Sequence, residues 1–288
     1  ALVVPDVNEW MGRQRVQAIV EHIRPQQGMA YAQGLIRHSG AAIQMALVRA
    51  RDQEGRLDSA PRLNWQTGLD AFLEAVRRSC WGTVALCFTA TCADGVLRAL
   101  QANDLMDRVY VAVGAAHQAA RRENALVVAP DLEGLPLEGY DSIFLFDGPL
   151  SMGCAGYVAS RLNNGENCII IDGDSAGLRP GDFCREELLA AWRAMKSALC
   201  GGNGPSGPAD WRWMEREGIG PWRAEVSARI FLELGLMVEL DKPMWLRPAE
   251  TGLKVDLNNS KIYKRLINWS MYYNGTPEYS KAVEVGIG

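Results

Sequence analysis

The chain has 288 residues, is 48% hydrophobic and 22% charged, and carries a formal net charge of -4. That is apolar material for one large core or two moderate ones, and the charge balance of an ordinary soluble protein. No apolar run approaches the roughly 20 residues of a membrane span, and Leu2–Pro5, followed by charged residues, is too short for a signal-peptide core.

Seven cysteines, Cys80, Cys87, Cys92, Cys154, Cys168, Cys184 and Cys200, are odd in number, scattered, and mostly embedded in apolar runs. They form no C-x-x-C pair, and the three histidines do not cluster with them in sequence. They read as reduced core thiols of a cytoplasmic protein rather than as bridges or metal ligands.

The chain enters at Ala1 directly on a strand-like LVVPD, as a piece of something longer would. Residues 9–23 read as an amphipathic helix with Val16, Ile19, Val20 and Ile23 on one face, stopped by Pro25. In 31–52, Gly34 and Gly40 interrupt an Ala-rich run that suits a helix from about Ser39, with that residue as cap. The polar stretch 53–64 reads as an exposed loop. A helix is predicted over 67–80, with Thr67 as cap and Leu69, Phe72, Leu73 and Val76 on one face.

Five short apolar runs follow: TVALCFTAT (83–91), RVYVAV (108–113), ALVVAPD (125–131), SIFLFDG (142–148) and CIIIDGD (168–174). They are nearly continuous in Val, Ile, Leu and Phe rather than alternating, so both faces should be covered. That predicts a mostly parallel sheet wrapped by helices, an α/β fold of Rossmann-like or helicase-lobe-like kind. Covering helices are predicted within 92–104, 115–124 and 151–165. Ligands of such a sheet sit at the carboxyl ends of the strands, which here carry Thr89 and Thr91, Pro130 and Asp131, Asp147 and Gly148, Asp172 and Asp174.

A helix from about Asp182 to Cys200 precedes GGNGPSGPAD (201–210), whose Gly, Pro, Ser and Asn content suits a linker. The expected organisation is an α/β domain over 1–200, the linker, and a smaller α+β subdomain over 211–288. In the latter, helices over 211–218 and 220–235 and short strands over 236–240, 244–248 and 253–257 make a winged-helix-like arrangement. A basic aromatic helix over 260–273 and a tail close the chain.

Chemical motifs are few. There is no G-x-x-x-x-G-K-[ST], the loop TATCADG has one glycine rather than G-x-G-x-x-G, and Ser151 in GPLSMG is not on a G-x-S-x-G elbow. No catalytic residue and no metal ligand is assigned. The acidic strand ends suit a divalent cation but equally suit the caps of following helices. Thr89, Thr91, Asp131 and Asp147 are the candidates for a ligand site, should this be a small-molecule or nucleotide-binding enzyme. Residues 206–288 hold eleven Lys or Arg and eleven Asp or Glu. Lys254, Lys261, Lys264 and Arg265 nevertheless fall near Tyr263, Trp269, Tyr272 and Tyr273, which pairs cations for phosphates with aromatic faces for unstacked bases. The competing reading is a solvated helix face whose aromatics pack on the core, and Trp211, Trp213 and Trp222 read as packing anchors.

VALCFTATCADGVLRAL followed by ALVVAPDLEGLPLEGYDSIFLFDGPLS resembles the second lobe of a helicase, without the Arg-rich motif that contacts ATP there. With FCREELLAAWRAM, GIGPWRAEVSARIFLELGLMVEL and KVDLNNSKIYKRL added, the order resembles the C-terminal region of RecJ-type single-strand-specific exonucleases of Gram-positive bacteria, over most of residues 67–266. The resemblance implies a non-catalytic, cytoplasmic accessory region of a 5'-3' exonuclease of DNA repair and recombination. It would bind single-stranded DNA or single-stranded DNA-binding protein, and no membrane. It would hold no cofactor itself, working beside a Mn- or Mg-dependent core on the same polypeptide. None of that core's Asp and His motifs matches here, so no catalytic residue is carried over.

Overall fold

The computed structural model describes residues 2–10, 13–22, 27–49, 62–114, 123–147, 152–160, 168–172, 184–200, 211–240, 245–249 and 255–274. The predicted linker 201–210, the stretch 115–122, Gly148, Asp174 and Lys254 lie outside these.

The chain begins with an antiparallel hairpin of β1 (Leu2–Trp10) and β2 (Arg13–His22), which replaces the helix expected over 9–23. Val16, Ile19 and Val20 fit a helical stripe, but they are β-branched, and the hairpin register sets them against Val7, Val4 and Val3. Branched residues favour the extended form. Two helices follow, α1 (Met29–Arg37) and α2 (Gly40–Arg49). Ser39 lies between them; its carbonyl takes the Ile43 N–H, while its hydroxyl donates back to the Ile36 carbonyl at 2.7 Å.

Residues expected to lie in a loop supply β3 (Arg62–Asn64). The next helix, α3 (Trp65–Arg78), begins two residues earlier than expected, because the Asn64 carboxamide rather than Thr67 is its cap, accepting from the Thr67 N–H at 2.7 Å. Then come β4 (Thr83–Cys87), α4 (Ala90–Ala102), β5 (Tyr110–Val113), β6 (Ala125–Val128), β7 (Ser142–Leu145), α5 (Met152–Ser160) and β8 (Cys168–Asp172). The sheet has six strands in the order β3-β8-β7-β4-β6-β5, and every neighbouring pair is parallel. The molecule is therefore an α/β protein with a wrapped parallel sheet.

β4 and β6 are buried residue after residue, as strands covered on both faces must be. On one face α3 lays Phe72 edge-on against Phe144 and Phe146, at 5.4 and 5.5 Å between ring centres. These edge-to-face contacts add to the burial of large rings. The outer edge, β5, is closed by one side chain: Gln27 Nε2 donates to the Val111 carbonyl at 3.1 Å, and the Val111 N–H donates to Gln27 Oε1 at 2.7 Å.

The remaining elements are α6 (Arg185–Cys200), a 3-10 segment over Trp211–Glu217, α7 (Pro221–Glu233), the antiparallel pair β9 (Met237–Glu239) and β10 (Leu246–Pro248), and α8 (Lys261–Asn274). Residues 255–259 are not the third strand expected of a wing. The Asp256 carboxylate accepts the Asn258 N–H at 2.9 Å and turns the chain into a 3-10 segment over Leu257–Asn259. Trp211 and Trp222 are buried, and Trp222, Ile230 and Leu266 belong to the same buried apolar cluster as the sheet. No helix among the described residues is long and apolar enough to cross a membrane.

Gln27→Ala removes two hydrogen bonds from the sheet edge. The expected loss is about 1 kcal/mol of stability, with faster hydrogen exchange at the Val111 amide than at Val127 in the sheet interior.

Candidate functional site

The chain leaves β4 toward β5 on one side and leaves β7 toward β8 on the other, so the crevice between the carboxyl ends of β4 and β7 is the topological switch point. In such crevices an anionic ligand commonly rests on the N-terminus of the helix that follows the strand, where backbone N–H groups point outward. Here that helix is α4, with Thr89 as its N-cap.

The protein's own carboxylates occupy the position. Asp147, just beyond β7 and 4% exposed, accepts from the Phe88 N–H at 2.6 Å, the Thr89 N–H at 2.7 Å and the Thr89 hydroxyl at 2.6 Å. Glu225 of α7, fully buried, accepts from the Ala90 N–H at 2.9 Å, the Thr91 N–H at 2.7 Å and the Thr91 hydroxyl at 2.6 Å. The Thr89 side chain also takes the Cys92 N–H, and its carbonyl takes that of Ala93. Every backbone donor from 88 to 93 thus has an internal acceptor, and two carboxyl groups lie at the positive end of the helix. Arg229, one turn along α7 and also buried, approaches Glu225 at 3.9 Å.

Burial pushes the Asp147 carboxyl up to about 7, opposed by the Thr89 and Phe88 donors and reinforced by Glu225. Burial lowers Arg229, opposed by Glu225 and Glu239. Cys87 and Cys92 lie behind the crevice with their sulfurs 3.6 Å apart, and burial raises both thiols, which keeps them protonated and unreactive. Cys154 and Cys168 are buried as well, whereas Cys80 and Cys184 are exposed, contrary to a uniformly internal set.

Beside this filled crevice lies an open cleft of about 760 Å³, within the size range of small-ligand sites. Its floor is formed where β4, β5 and β6 end, at Phe88, Gly114 and Ala129–Asp131. Two left-handed residues turn the chain away there, Gly114 at φ 74 and Ala129 at φ 52. For alanine that conformation costs about 1–2 kcal/mol. One wall is α2, which buries Gly40, Ile43 and Leu47 in the core and turns Ala42, Met45, Ala46 and Arg49 toward the cleft. That second set has i, i+3, i+4, i+7 spacing, so it forms a single helix face. The rim holds Lys261 and Arg265 from α8, with Asp131 and Glu133 after β6.

The same fastening that fills the crevice fixes this rim. Glu233, at the end of α7, accepts from the Lys261 N–H, the Ile262 N–H and the Ser260 hydroxyl, at 2.9, 3.2 and 2.6 Å, and so caps α8. Arg265 Nη1 donates to the Leu47 carbonyl at 2.7 Å and to that of Val48, closing the end of α2.

The structure thus separates the residues singled out in the sequence. Thr89, Thr91 and Asp147 meet at the crevice, where their polar groups are taken up internally. Asp131 is exposed on the cleft rim with Lys261, while Lys264 is exposed elsewhere on α8, Tyr263 is half-buried against the core, and Arg265 is buried. The side chains of Asp172, Trp269, Tyr272 and Tyr273 lie outside the described set. Glu225 and Glu233 were not foreseen; the legible signal was the charged stripe Glu225, Arg229 and Glu233, at i, i+4 and i+8 in a largely apolar helix. Arg49, with its alanine-rich face, was missed as well. Among the described residues no group of His, Cys, Asp and Glu is arranged to hold a metal ion. Fold and site together define a parallel α/β protein whose switch-point crevice is filled from within and whose open cleft lies beside it. Compared with protein-family models, with curated proteins and with solved structures, the chain matches none.

Asp147→Asn keeps the shape but turns an amide N–H toward backbone donors, with an expected loss of about 1–3 kcal/mol in urea unfolding. Glu225→Ala, which leaves the Ala90 and Thr91 donors without their acceptor and takes one acidic neighbour from Arg229, should cost about 3–5 kcal/mol. The pH dependence has a definite sign. Between the ordinary carboxylate range and about 7 the folded chain keeps a proton on Asp147 that the unfolded chain has released. This contribution to stability is complete at acid pH and falls by about 1.4 kcal/mol per pH unit as the pH rises to about 7. Unfolding curves of Asp147→Asn across that range should lack this component of the wild-type slope.

Proposed function

We propose that this chain is the non-catalytic accessory region of a RecJ-type single-stranded-DNA-specific 5'-3' exonuclease, engaging single-stranded DNA or a partner protein in DNA repair and recombination. One observation carries the reading: the crevice where a nucleotide phosphate would rest is filled by Asp147 and Glu225, while cations stand exposed at an open cleft next to it. A sheet in that state is suited to recognition rather than to phosphoryl chemistry. The resemblance over residues 67–266 supplies the identity of the nuclease, and with it a cytoplasmic setting and a Mn- or Mg-dependent core elsewhere on the polypeptide.

Lys261 and Lys264 are the exposed cations of α8, and in this reading they contact phosphates. Arg265, whose guanidinium closes α2, holds the helix in place instead. Single-stranded DNA-binding protein is the partner-protein alternative for the same surface.

Fluorescence anisotropy with a labelled oligonucleotide tests the proposal. Affinity should fall steeply with salt, and Lys261→Glu and Lys264→Glu should each weaken binding and flatten the slope of log K against log salt by about 1. A chain that binds neither the oligonucleotide at low salt nor single-stranded DNA-binding protein does not have this function.

A further inference from the structure

We infer that the outward face of the β9–β10 pair is a contact for one nucleotide unit of a single strand, its base resting on Trp245 and its phosphate on Arg247. This rests on the single-stranded DNA reading and adds a place to it. The register fixes which side chains share the face. Arg247 stands opposite Val238, the Trp245 carbonyl takes the Leu240 N–H at 2.7 Å, and the Leu236 carbonyl takes the Ala249 N–H at 2.8 Å. Side chains alternate along a strand, so these six positions point one way, while Met237, Glu239, Leu246 and Pro248 point the other. The second set is the inner one, since Met237 and Leu246 are buried in the core. The outer set leaves Val238, Leu240 and Trp245 37%, 39% and 40% exposed. These are three of the nine large apolar side chains that stand exposed among the described residues, gathered where single scattered ones are the rule.

The charge of the face decides what would cover it. Its one ionisable group is Arg247, which is exposed and in no ion pair, and the nearest carboxylate of the ladder, Glu239, belongs to the other face. An occupant that matches it brings negative charge together with apolar surface. Trp245 and Arg247 lie two residues apart on one strand, about 7 Å, a spacing that a base and the phosphate beside it can span. Single strands are held in this way, by cations along the backbone and aromatic side chains against the bases. A protein partner is a poorer match in size. Three side chains at this exposure present about 200 Å² of apolar surface, about a quarter of the ~800 Å² that each side of a stable protein interface buries. The face is also within reach of the lysines of α8. Glu233, whose carboxylate caps α8, precedes Met237 by four residues, at most about 14 Å of chain, and a strand of a few nucleotides spans that distance.

Fluorescence anisotropy of the full chain with a labelled oligothymidine, and photocrosslinking with a 5-iodouracil strand, test this. The crosslink should map by mass spectrometry to Trp245. Trp245→Ala should weaken binding about tenfold with the salt slope unchanged, and Trp245→Phe, which keeps an aromatic ring, should recover most of the loss. Arg247→Gln, an exposed change that leaves the packing of the pair intact, should flatten the slope of log K against log salt by about 0.7–1. The inference is overturned if Arg247→Gln keeps the wild-type affinity and slope, or if Trp245→Phe loses as much as Trp245→Ala. It is overturned as well if Trp245→Ala weakens only the binding of single-stranded DNA-binding protein, which would make the face a protein contact. Lys261→Glu measured in parallel separates the two ideas. Should the Trp245 and Arg247 variants bind the oligonucleotide like the wild type while Lys261→Glu does not, this face is no contact, yet the DNA reading stands. A wild type that binds neither the oligonucleotide at low salt nor single-stranded DNA-binding protein loses the DNA reading, and this contact with it.

Discussion

Helix α7 holds this molecule together through two carboxylates spaced along its length. Glu225 caps α4 and Glu233 caps α8, each accepting from two backbone N–H groups and one hydroxyl. Each cap supplies acceptors to donors that the helix cannot satisfy itself, and places negative charge where the helix dipole favours it. Because α4 belongs to the central sheet and α8 to the last part of the chain, one rod-like element fixes both. The burial of Trp222, Ile230 and Phe231 along the same helix supplies the apolar energy that the caps orient.

The same arrangement determines which part of the sheet's carboxyl rim is open. Asp147 seals the crevice between β4 and β7, and with Glu225 it takes up the donors that a nucleotide phosphate would need. The cleft beyond β6 is open, and α2 lines it with the small Ala42 and Ala46 beside the longer Met45 and Arg49. Fold-level expectation points to the switch point in sheets of this kind. In this chain the neighbouring strand ends present the accessible polar groups.

The sheet was largely legible, since uninterrupted runs such as VALC and ALVV have few fates other than a doubly covered parallel strand. β3 was not: three residues with Arg and Asn at their ends carry no periodic signal, and only pairing with β8 makes them a strand. The β1–β2 hairpin was misread because Val16, Ile19 and Val20 have the i, i+3, i+4 spacing of a helical stripe, while their β-branched type suits a strand, and only the partner strand decides between them. At the site, Thr89 and Asp147 were placed correctly at strand ends, but their union is a contact across 58 positions of sequence. Glu225 reaches Thr91 across 134. Local pattern marks the positions that can bear a polar group; which group will neutralise which is decided by packing. Lys261 and Arg265 looked equivalent for the same reason, and they part company only when α2 arrives beside α8.

The side-chain amide of Gln27 finishes the sheet beyond β5 by offering Val111 both an acceptor and a donor, as one more residue of backbone would. A second molecule seeking to lengthen the ladder from that border would first have to evict the glutamine, breaking two bonds before making any. Growth of ordered polymers from this border is therefore tied to a local opening event, and handling steps that leave Gln27 in place should leave the protein monodisperse along that side.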